Sequence, residues 1–310
     1  MTVRITNLVK RYNELLAVDH LTLNIDQGEI FGLLGPNGAG KTSVINAIMG
    51  LIGIDGGEIK IFDKSLNDFE REIKKSIGIV PQDIAVFEDL TAYENLAFFG
   101  KLYQLRGDLL KKRVEEALHF TGLWERRKEF PKKYSGGMKR RLNIACALVH
   151  QPKLIIMDEP TVGIDPQSRK HIIESVKTLN QKGSTIIYTS HYMEEVEELC
   201  TRIAIMDHGR IIALGTKEEL TSLIGLEEKV VLGLASVNYT LVDKIKKVAG
   251  VKDCVVTDHQ VTVISERDKG NLGRIIDCVS DSESEVLSIH MEKPTLEGVF
   301  LTLTGRSLRD

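Results

Sequence analysis

The chain has 310 residues, 42% of them apolar and 27% charged, and a formal net charge of −3. This composition fits a folded globular protein with room for one large core and a smaller second domain, and the slight acidity speaks against a broadly basic nucleic-acid binder. Cys146, Cys200, Cys254 and Cys278 stand far apart with no CxxC pair, so they read as reduced structural thiols rather than a disulfide or zinc framework.

The opening residues Met1-Thr2-Val3-Arg4-Ile5-Thr6 lack the apolar core of a signal peptide. No apolar run approaches the ~18 residues of a membrane-spanning helix, so any membrane role is expected to come through a partner. Val18–Ile25 and the stretch from Glu29 suggest an antiparallel edge leading into a sheet. Buried strands are predicted at Ile30–Leu34, Ile77–Pro81, Leu154–Asp158, Thr185–Ser190 and Arg202–Met206, alternating with helical stretches. That alternation is the pattern of an α/β domain with a mainly parallel sheet. Residues from about 91 to 150 differ: Leu96, Phe99, Leu102 and Tyr103, then Val114, Ala117 and Leu118, fall at helical spacing and predict a helical subdomain. After Gly225 the pattern restarts with strand Lys229–Ala235, helix Tyr239–Val248, a hairpin of Val251–Thr257 and Gln260–Ile264, helix Asn271–Val279 and an extended Glu285–His290. The order β-α-β-β-α-β is the ferredoxin-like arrangement, which sets domain limits of 1–224 and 226–310.

Three segments carry chemistry. Gly35-Pro36-Asn37-Gly38-Ala39-Gly40-Lys41-Thr42 fits GxxxxGK[ST] and lies between a buried strand and the apolar helix Val44–Met49. Glycines let backbone N–H groups curl around phosphate oxygens, and the helix N-terminus adds positive potential. Lys41 is expected between the β- and γ-phosphates, with the Thr42 hydroxyl on Mg²⁺. Leu154–Asp158 ends in Asp158-Glu159, where Asp158 suits Mg²⁺ and Glu159 suits a general base acting on water. Tyr134-Ser135-Gly136-Gly137-Met138-Lys139-Arg140 precedes a helix at Leu142–Leu148, and taken alone its serine is a helix cap. The chain has no GxGxxG, so a nicotinamide enzyme is not supported.

In this order the three segments resemble the ABC ATPases: a Ser-Gly-Gly signature standing between a phosphate loop and an Asp-Glu strand marks that family. The resemblance covers about residues 1–224 and implies a P-loop NTPase core with ATP and Mg²⁺ as cofactors. It also assigns Tyr12 to stacking on adenine and Ser43 to the phosphate loop. Gln82 matches the glutamine that meets Mg²⁺ and senses the γ-phosphate. Ser135, Gly136 and Gly137 match the signature that contacts a nucleotide held by the opposite subunit, and Asp165, in Gly163-Ile164-Asp165, the loop joining the two sites. His191 matches the switch histidine that bonds the γ-phosphate. Tyr134 stands where the family usually has leucine and Ser43 where it usually has a second threonine; neither departure removes a hydroxyl or a phosphate-binding amide.

The tail Pro294-Thr295-Leu296-Glu297-Gly298-Val299-Phe300-Leu301 resembles the Pro-Ser-Leu-Glu-Asp-Val-Phe-Leu ending of drug- and lipid-exporter ATPases, with Gly298 in place of aspartate. The same residues are simply an amphipathic helix by spacing. The resemblance implies an exporter motor, working as a dimer of identical copies on a separate integral membrane permease. Its location would be cytoplasmic, peripheral on the inner face of the cell membrane, with the C-terminal domain in regulation or subunit pairing. The alternative is a soluble ABC ATPase acting on ribosomes or DNA. Against it stand a single cassette and fewer than a hundred residues, without heptads, between loop and signature, so no nucleic-acid partner is expected.

Overall fold

Runs of isoleucine, leucine and valine bounded by Gly, Asn and Asp turns set most of the strands. In the computed structural model the described residues are 1–223, 227–237, 239–266, 270–282, 285–292 and 295–305. The domain boundary expected at 224–226 and Pro294 of the tail motif lie outside them. The elements in chain order are β1 Val3–Tyr12, β2 Leu15–Ile25, β3 Ile30–Leu34, α1 Lys41–Ile48, β4 Gly56–Ile61, β5 Lys64–Ser65, α2 Leu66–Lys74, β6 Ile77–Val80, α3 Ala92–Leu102, α4 Gly107–Phe120 and α5 Gly136–Leu148. There follow β7 Leu154–Asp158, α6 Pro166–Gln181, β8 Thr185–Thr189, α7 Met193–Leu199, β9 Arg202–Asp207, β10 Arg210–Gly215 and α8 Lys217–Ser222. The remainder is β11 Glu227–Leu234, α9 Tyr239–Lys246, β12 Val251–Thr257, β13 Gln260–Glu266, α10 Asn271–Ser280, β14 Val286–Glu292 and α11 Leu296–Thr304.

The chain forms two compact units, one of Met1–Lys217 with the end of the chain from Leu303, the other of Glu218–Thr302. The first contains a six-stranded sheet in the order β10-β9-β3-β8-β7-β6. Within it β6, β7, β8, β3 and β9 pair in parallel, and β10 closes the β9 edge antiparallel. Side chains alternate across a strand, so β7 feeds two cores at once. Leu154 and Ile156 join Phe31, Leu33 and Ile187 on one face, while Ile155 and Met157 join Ile186 and Tyr188 on the other, beneath α5 and α6. A strand buried on both faces has to be apolar throughout, which is why Ile30–Leu34 and Leu154–Met157 read as continuous runs.

Two expectations need correction. The antiparallel strands near the N-terminus are not an edge of this sheet; they form a sheet of their own in the order β2-β1-β4-β5. The apolar faces of β1 and β2, through Val3, Ile5, Leu8 and Leu23, cover one side of the parallel sheet with α1. The helix expected at Leu142–Leu148 starts earlier, at Gly136. Ser135 makes this start workable: its Oγ accepts the Met138 amide at 3.3 Å, satisfying an otherwise unpaired first-turn donor.

The helices α3, α4 and α5 pack around their own apolar cluster, with Leu96, Val114, Leu118 and Leu142 at its centre. Thr91 and Glu94 cap α3 reciprocally. The cluster is fastened to β6 by a stacked pair, in which the Tyr103 ring lies 3.5 Å from that of His150, while His150 Nε2 lies 3.0 Å from the Ile77 carbonyl oxygen. The second unit follows the expected β-α-β-β-α-β order, as an antiparallel sheet of order β12-β13-β11-β14. Its core is Val230, Leu232, Leu241, Ile245, Val261, Val263 and Ile275. α11 covers the tail motif, where the Gly298 amide donates to Thr295 Oγ1 at 3.1 Å.

Burial holds the His150 imidazole down at about 4, against an ordinary value of 6.5. The unfolded chain therefore takes up this proton first, and the stability tied to neutral His150 is complete above pH 6.5 and lost as the pH falls toward 4. Urea unfolding should register about 2 kcal/mol less stability from this group at pH 5 than at pH 7.5, and His150→Gln should flatten that part of the slope.

Candidate functional site

The phosphate loop leaves the end of β3 and enters α1. Gly38 and Gly40 have φ of 79° and 102°, a region that L side chains avoid. At Gly40 a Cβ would stand 2.3 Å from the Ala17 carbonyl oxygen, so the first turn of α1 closes against β2 only with glycine. Ala39 and Pro36 are buried beneath the loop while Asn37, Gly38 and Thr42 are exposed along its rim, with Ser43 half-buried. The Lys41 ammonium donates to the carbonyl oxygens of Gly35 at 2.6 Å and Pro36 at 3.1 Å. Burial holds this amine below its ordinary value, opposed by the nearby charges of Glu159 and Asp158.

The Asp-Glu pair stands at the end of β7, and Thr189 on the neighbouring β8 locks its geometry. Thr189 Oγ1 donates to Asp158 Oδ1 at 2.6 Å and accepts the Glu159 amide at 2.9 Å. Glu159 takes a left-handed φ of 48°, costing on the order of 1 kcal/mol, and the chain turns sharply there so that successive carboxylates face one place. Burial pushes the Asp158 carboxyl above its ordinary value, against the Thr189 hydrogen bond and the Lys41 charge. Glu159 is buried and receives two side chains from separate loops. Gln82 Nε2 donates to its Oε2 at 2.9 Å, and His191 Nε2 lies 2.5 Å from its Oε1.

Lys41, Gln82, Asp158, Glu159 and His191, predicted from four separate segments, thus meet at one edge of the parallel sheet. The signature is tied elsewhere. Gly137 is buried, and a Cβ there would lie 2.2 Å from Ser168 Oγ and 3.0 Å from Asp165 Oδ2. Asp165 is the N-cap of α6, accepting the Ser168 amide at 2.9 Å. Ser135 and Gly136 are exposed beside it. Tyr12 ends β1 at the tip of the first hairpin, 41% exposed, with Lys10 Nζ 5.2 Å from its ring centre. Tyr134, the departure from leucine, is buried and donates its hydroxyl to the Arg126 carbonyl at 2.8 Å.

Three residues that bond the site or the chain beside it are absent from the site residues expected from the sequence. One is Thr189, whose signal was its place at the end of β8, two residues before His191. Another is Arg140, buried on α5, which donates to the carbonyls of Pro81 at 2.8 Å and Gln82 at 2.6 Å. The signature helix thereby grips the backbone of the residue that reaches Glu159. The third, Glu195, is buried on α7 among hydroxyl groups.

The donor chemistry here suits a magnesium nucleotide. Mg²⁺ takes oxygen ligands, usually one or two carboxylates with phosphates and water completing the set; Asp158 offers the carboxylate, and the Thr42 hydroxyl and Gln82 amide oxygen are further oxygens of the right kind. Asp158, raised by burial and by the neighbouring Glu159 charge, is the kind of carboxylate a cation relieves.

Comparison with known proteins agrees with this arrangement. The family described as ABC transporter matches residues 18–162. The linearmycin resistance ATP-binding protein LnrL of Bacillus subtilis (strain 168) is 46% identical over 308 residues, covering 98% of each chain. The daunorubicin/doxorubicin resistance ATP-binding protein DrrA of Streptomyces peucetius is 36% identical over 99% of this chain and 94% of its own. Among solved structures, an ATP-binding subunit of an ABC transporter superposes with a TM-score of 0.67 at 29% identity, over 73% of this chain and 94% of that one. A dimeric ATP-binding cassette in a post-hydrolysis state with ADP and Pi does so with 0.63 at 28% identity, over 69% and 98%. The phosphate loop, the Asp-Glu strand end and these relatives lead to one conclusion: the chain belongs to the ABC transporter family, as an ATP-binding, ATP-hydrolysing subunit similar to the drug-resistance ATP-binding proteins.

Proposed function

We propose that this subunit drives export through a membrane permease carried on a separate chain, working as one of two identical cassettes paired head to tail. The observation that carries the reading is the meeting of Lys41, Gln82, Asp158, Glu159 and His191 at one sheet edge, with the signature held apart on Asp165 and Ser168. Gly137 of the signature packs against Ser168 and Asp165 and, among the described residues, the signature makes no hydrogen bond to the phosphate loop, so a second copy would complete each site, an arrangement the dimeric structural relative supports.

In this mechanism the backbone N–H groups from Asn37 to Ser43 cradle the ATP phosphates, Lys41 moves from its loop carbonyls to the β- and γ-phosphates, and the adenine stacks on Tyr12. Thr42, Gln82 and Asp158 would hold Mg²⁺, which supplies charge to offset that of the phosphates. The γ-phosphate draws Gln82 and His191 toward its oxygens, which frees Glu159 to accept a proton from water. The water oxygen bonds to the γ-phosphorus as the bond to the β,γ-bridging oxygen breaks, and ADP leaves with that electron pair. The partner's signature serine and glycine amides add a second helix N-terminus facing the γ-phosphate.

The segment after Gln82 suits transmission to a permease. Phe87 and Phe98 are 47% and 40% exposed and meet edge to face at 5.0 Å, an apolar patch of the kind that marks an interface. Asn95, fully buried, pins this segment by bonding both backbone groups of Phe87 and the carbonyls of Leu90 and Thr91. Among the described residues no helix is long and apolar enough to cross a membrane, consistent with a peripheral subunit on the inner membrane face. For the second unit we propose a role in subunit pairing or regulation. Its edge strand β14 exposes Val286, Leu287, Ile289 and Met291, which suits pairing.

Two substitutions test the site. Glu159→Gln keeps the side-chain shape without the basic carboxylate, so nucleotide affinity should stay within a few-fold while turnover falls by about a hundred-fold or more; turnover equal to the parent protein's would sink the base assignment. Gly40→Ala should lower ATP affinity by at least about ten-fold, because the loop cannot keep its φ of 102° beside Ala17. Unchanged affinity in equilibrium binding would remove the loop from the site.

A further inference from the structure

α7 carries a carboxylate where burial is costly. Glu195 is 3% exposed, and an unpaired buried carboxylate is strongly unfavourable. Its Oε2 accepts three hydroxyl hydrogen bonds of 2.8 Å each, from Thr161 Oγ1, Tyr188 Oη and Ser190 Oγ. Its Oε1 faces Arg169 Nε of α6 at 3.4 Å, and the Arg169 guanidinium lies 4.0 Å over the Tyr192 ring. The Ser190 hydroxyl also accepts the Tyr192 amide at 3.0 Å. Bonds to an ionised acceptor are roughly twice as strong as those between neutral groups, and Tyr188, its hydroxyl pushed well above the ordinary tyrosine value by burial, remains a donor.

The positions of the donors matter more than their number. Thr161 lies two residues after Glu159, and Ser190 lies immediately before His191. Holding α7 against the sheet requires an apolar side chain at position 195 and, at most, the Tyr188 bond. It gives no reason for one carboxylate to grip the chain beside each member of the Glu159–His191 pair. Nor does Glu195 bond to any residue of the phosphate loop, so its influence on bound phosphate is indirect.

We propose that Glu195 is a positioning residue for hydrolysis: by holding Thr161 and Ser190 together it sets the distance between Glu159 and His191. The inference rests on the reading of those two as the groups that act on water. Misplacement of reacting groups by about an ångström is worth up to a hundred-fold in rate. Loss of the hub therefore lowers kcat while the loop binds ATP as before.

The test is steady-state ATP hydrolysis by the purified full chain with Mg²⁺, alongside thermal melts of each variant. Glu195→Gln should lower kcat by about ten-fold or more with KM for ATP within about two-fold. Thr161→Val and Ser190→Ala should each lower kcat by about three-fold or more, and either one added to Glu195→Gln should cost little further, as expected for parts of one unit. The proposal fails if Glu195→Gln keeps kcat within about two-fold of the parent. It fails equally if kcat losses simply follow losses of Tm across the variants, or if the effects multiply independently. Glu159→Gln assayed in parallel separates the two readings: its full activity would remove the base assignment, whereas a silent Glu159→Gln beside a fully active Glu195→Gln removes only the hub.

Discussion

Parallel pairing of β6, β7, β8 and β3 is the constraint from which the rest of the first unit follows. Strands that run the same way end at the same edge, so the loops leaving all four open onto one place. β3 delivers the phosphate loop, β7 the Asp158–Glu159 pair, β6 Gln82 and β8 Thr189 with His191. No long-range fold-back of a flexible loop is needed. The chemistry is carried on strand ends whose own positions are set by apolar side chains packed on both faces.

That placement brings charges close to a dry core, and the structure answers each with a specific partner. Asp158 and the Glu159 amide share Thr189, Lys41 lies on loop carbonyls, and Glu159 holds Gln82 and His191. Arg140 links this cluster to the signature helix by gripping the carbonyl of Gln82 itself. Arg140 thus ties α5 to the backbone of the residue whose side chain reaches Glu159. Gly137 completes the link in the other direction, because its missing side chain lets α5 close onto Asp165 and Ser168.

The second unit is built on different rules. All its strand pairs are antiparallel, and its core gathers on one face of the sheet, beneath α9 and α10. Such a sheet tolerates an exposed edge, which β14 supplies. Among its described residues the buried polar side chains are Thr221, Ser265 and Asn271, all of them uncharged.

Much of this was legible in the sequence. The doubly buried strands read as uninterrupted apolar runs, the phosphate loop as glycines at fixed spacing, and the second unit as a pattern of alternating periods. These are local signals: periodicity, turn residues and backbone freedom depend on neighbours within a few positions. The separate sheet of β1, β2, β4 and β5 was not legible, because strand partners lie far apart in the chain and an alternating pattern does not say which sheet it joins. The start of α5 was half legible: Ser135 read as a cap, but two glycines oppose a helix locally and the apolar run begins only at Leu142, so the first turn is secured by the Ser135 bond to Met138 and the close approach of Ser168. The sequence by itself determined which residue types could bind phosphate and move a proton. Tertiary structure alone decided that Thr189 bonds Asp158 and the Glu159 amide, that Arg140 bonds the Gln82 carbonyl and that Glu195 gathers the hydroxyls of Thr161 and Ser190, since hydrogen bonds between distant segments exist only after the sheet has brought the segments together.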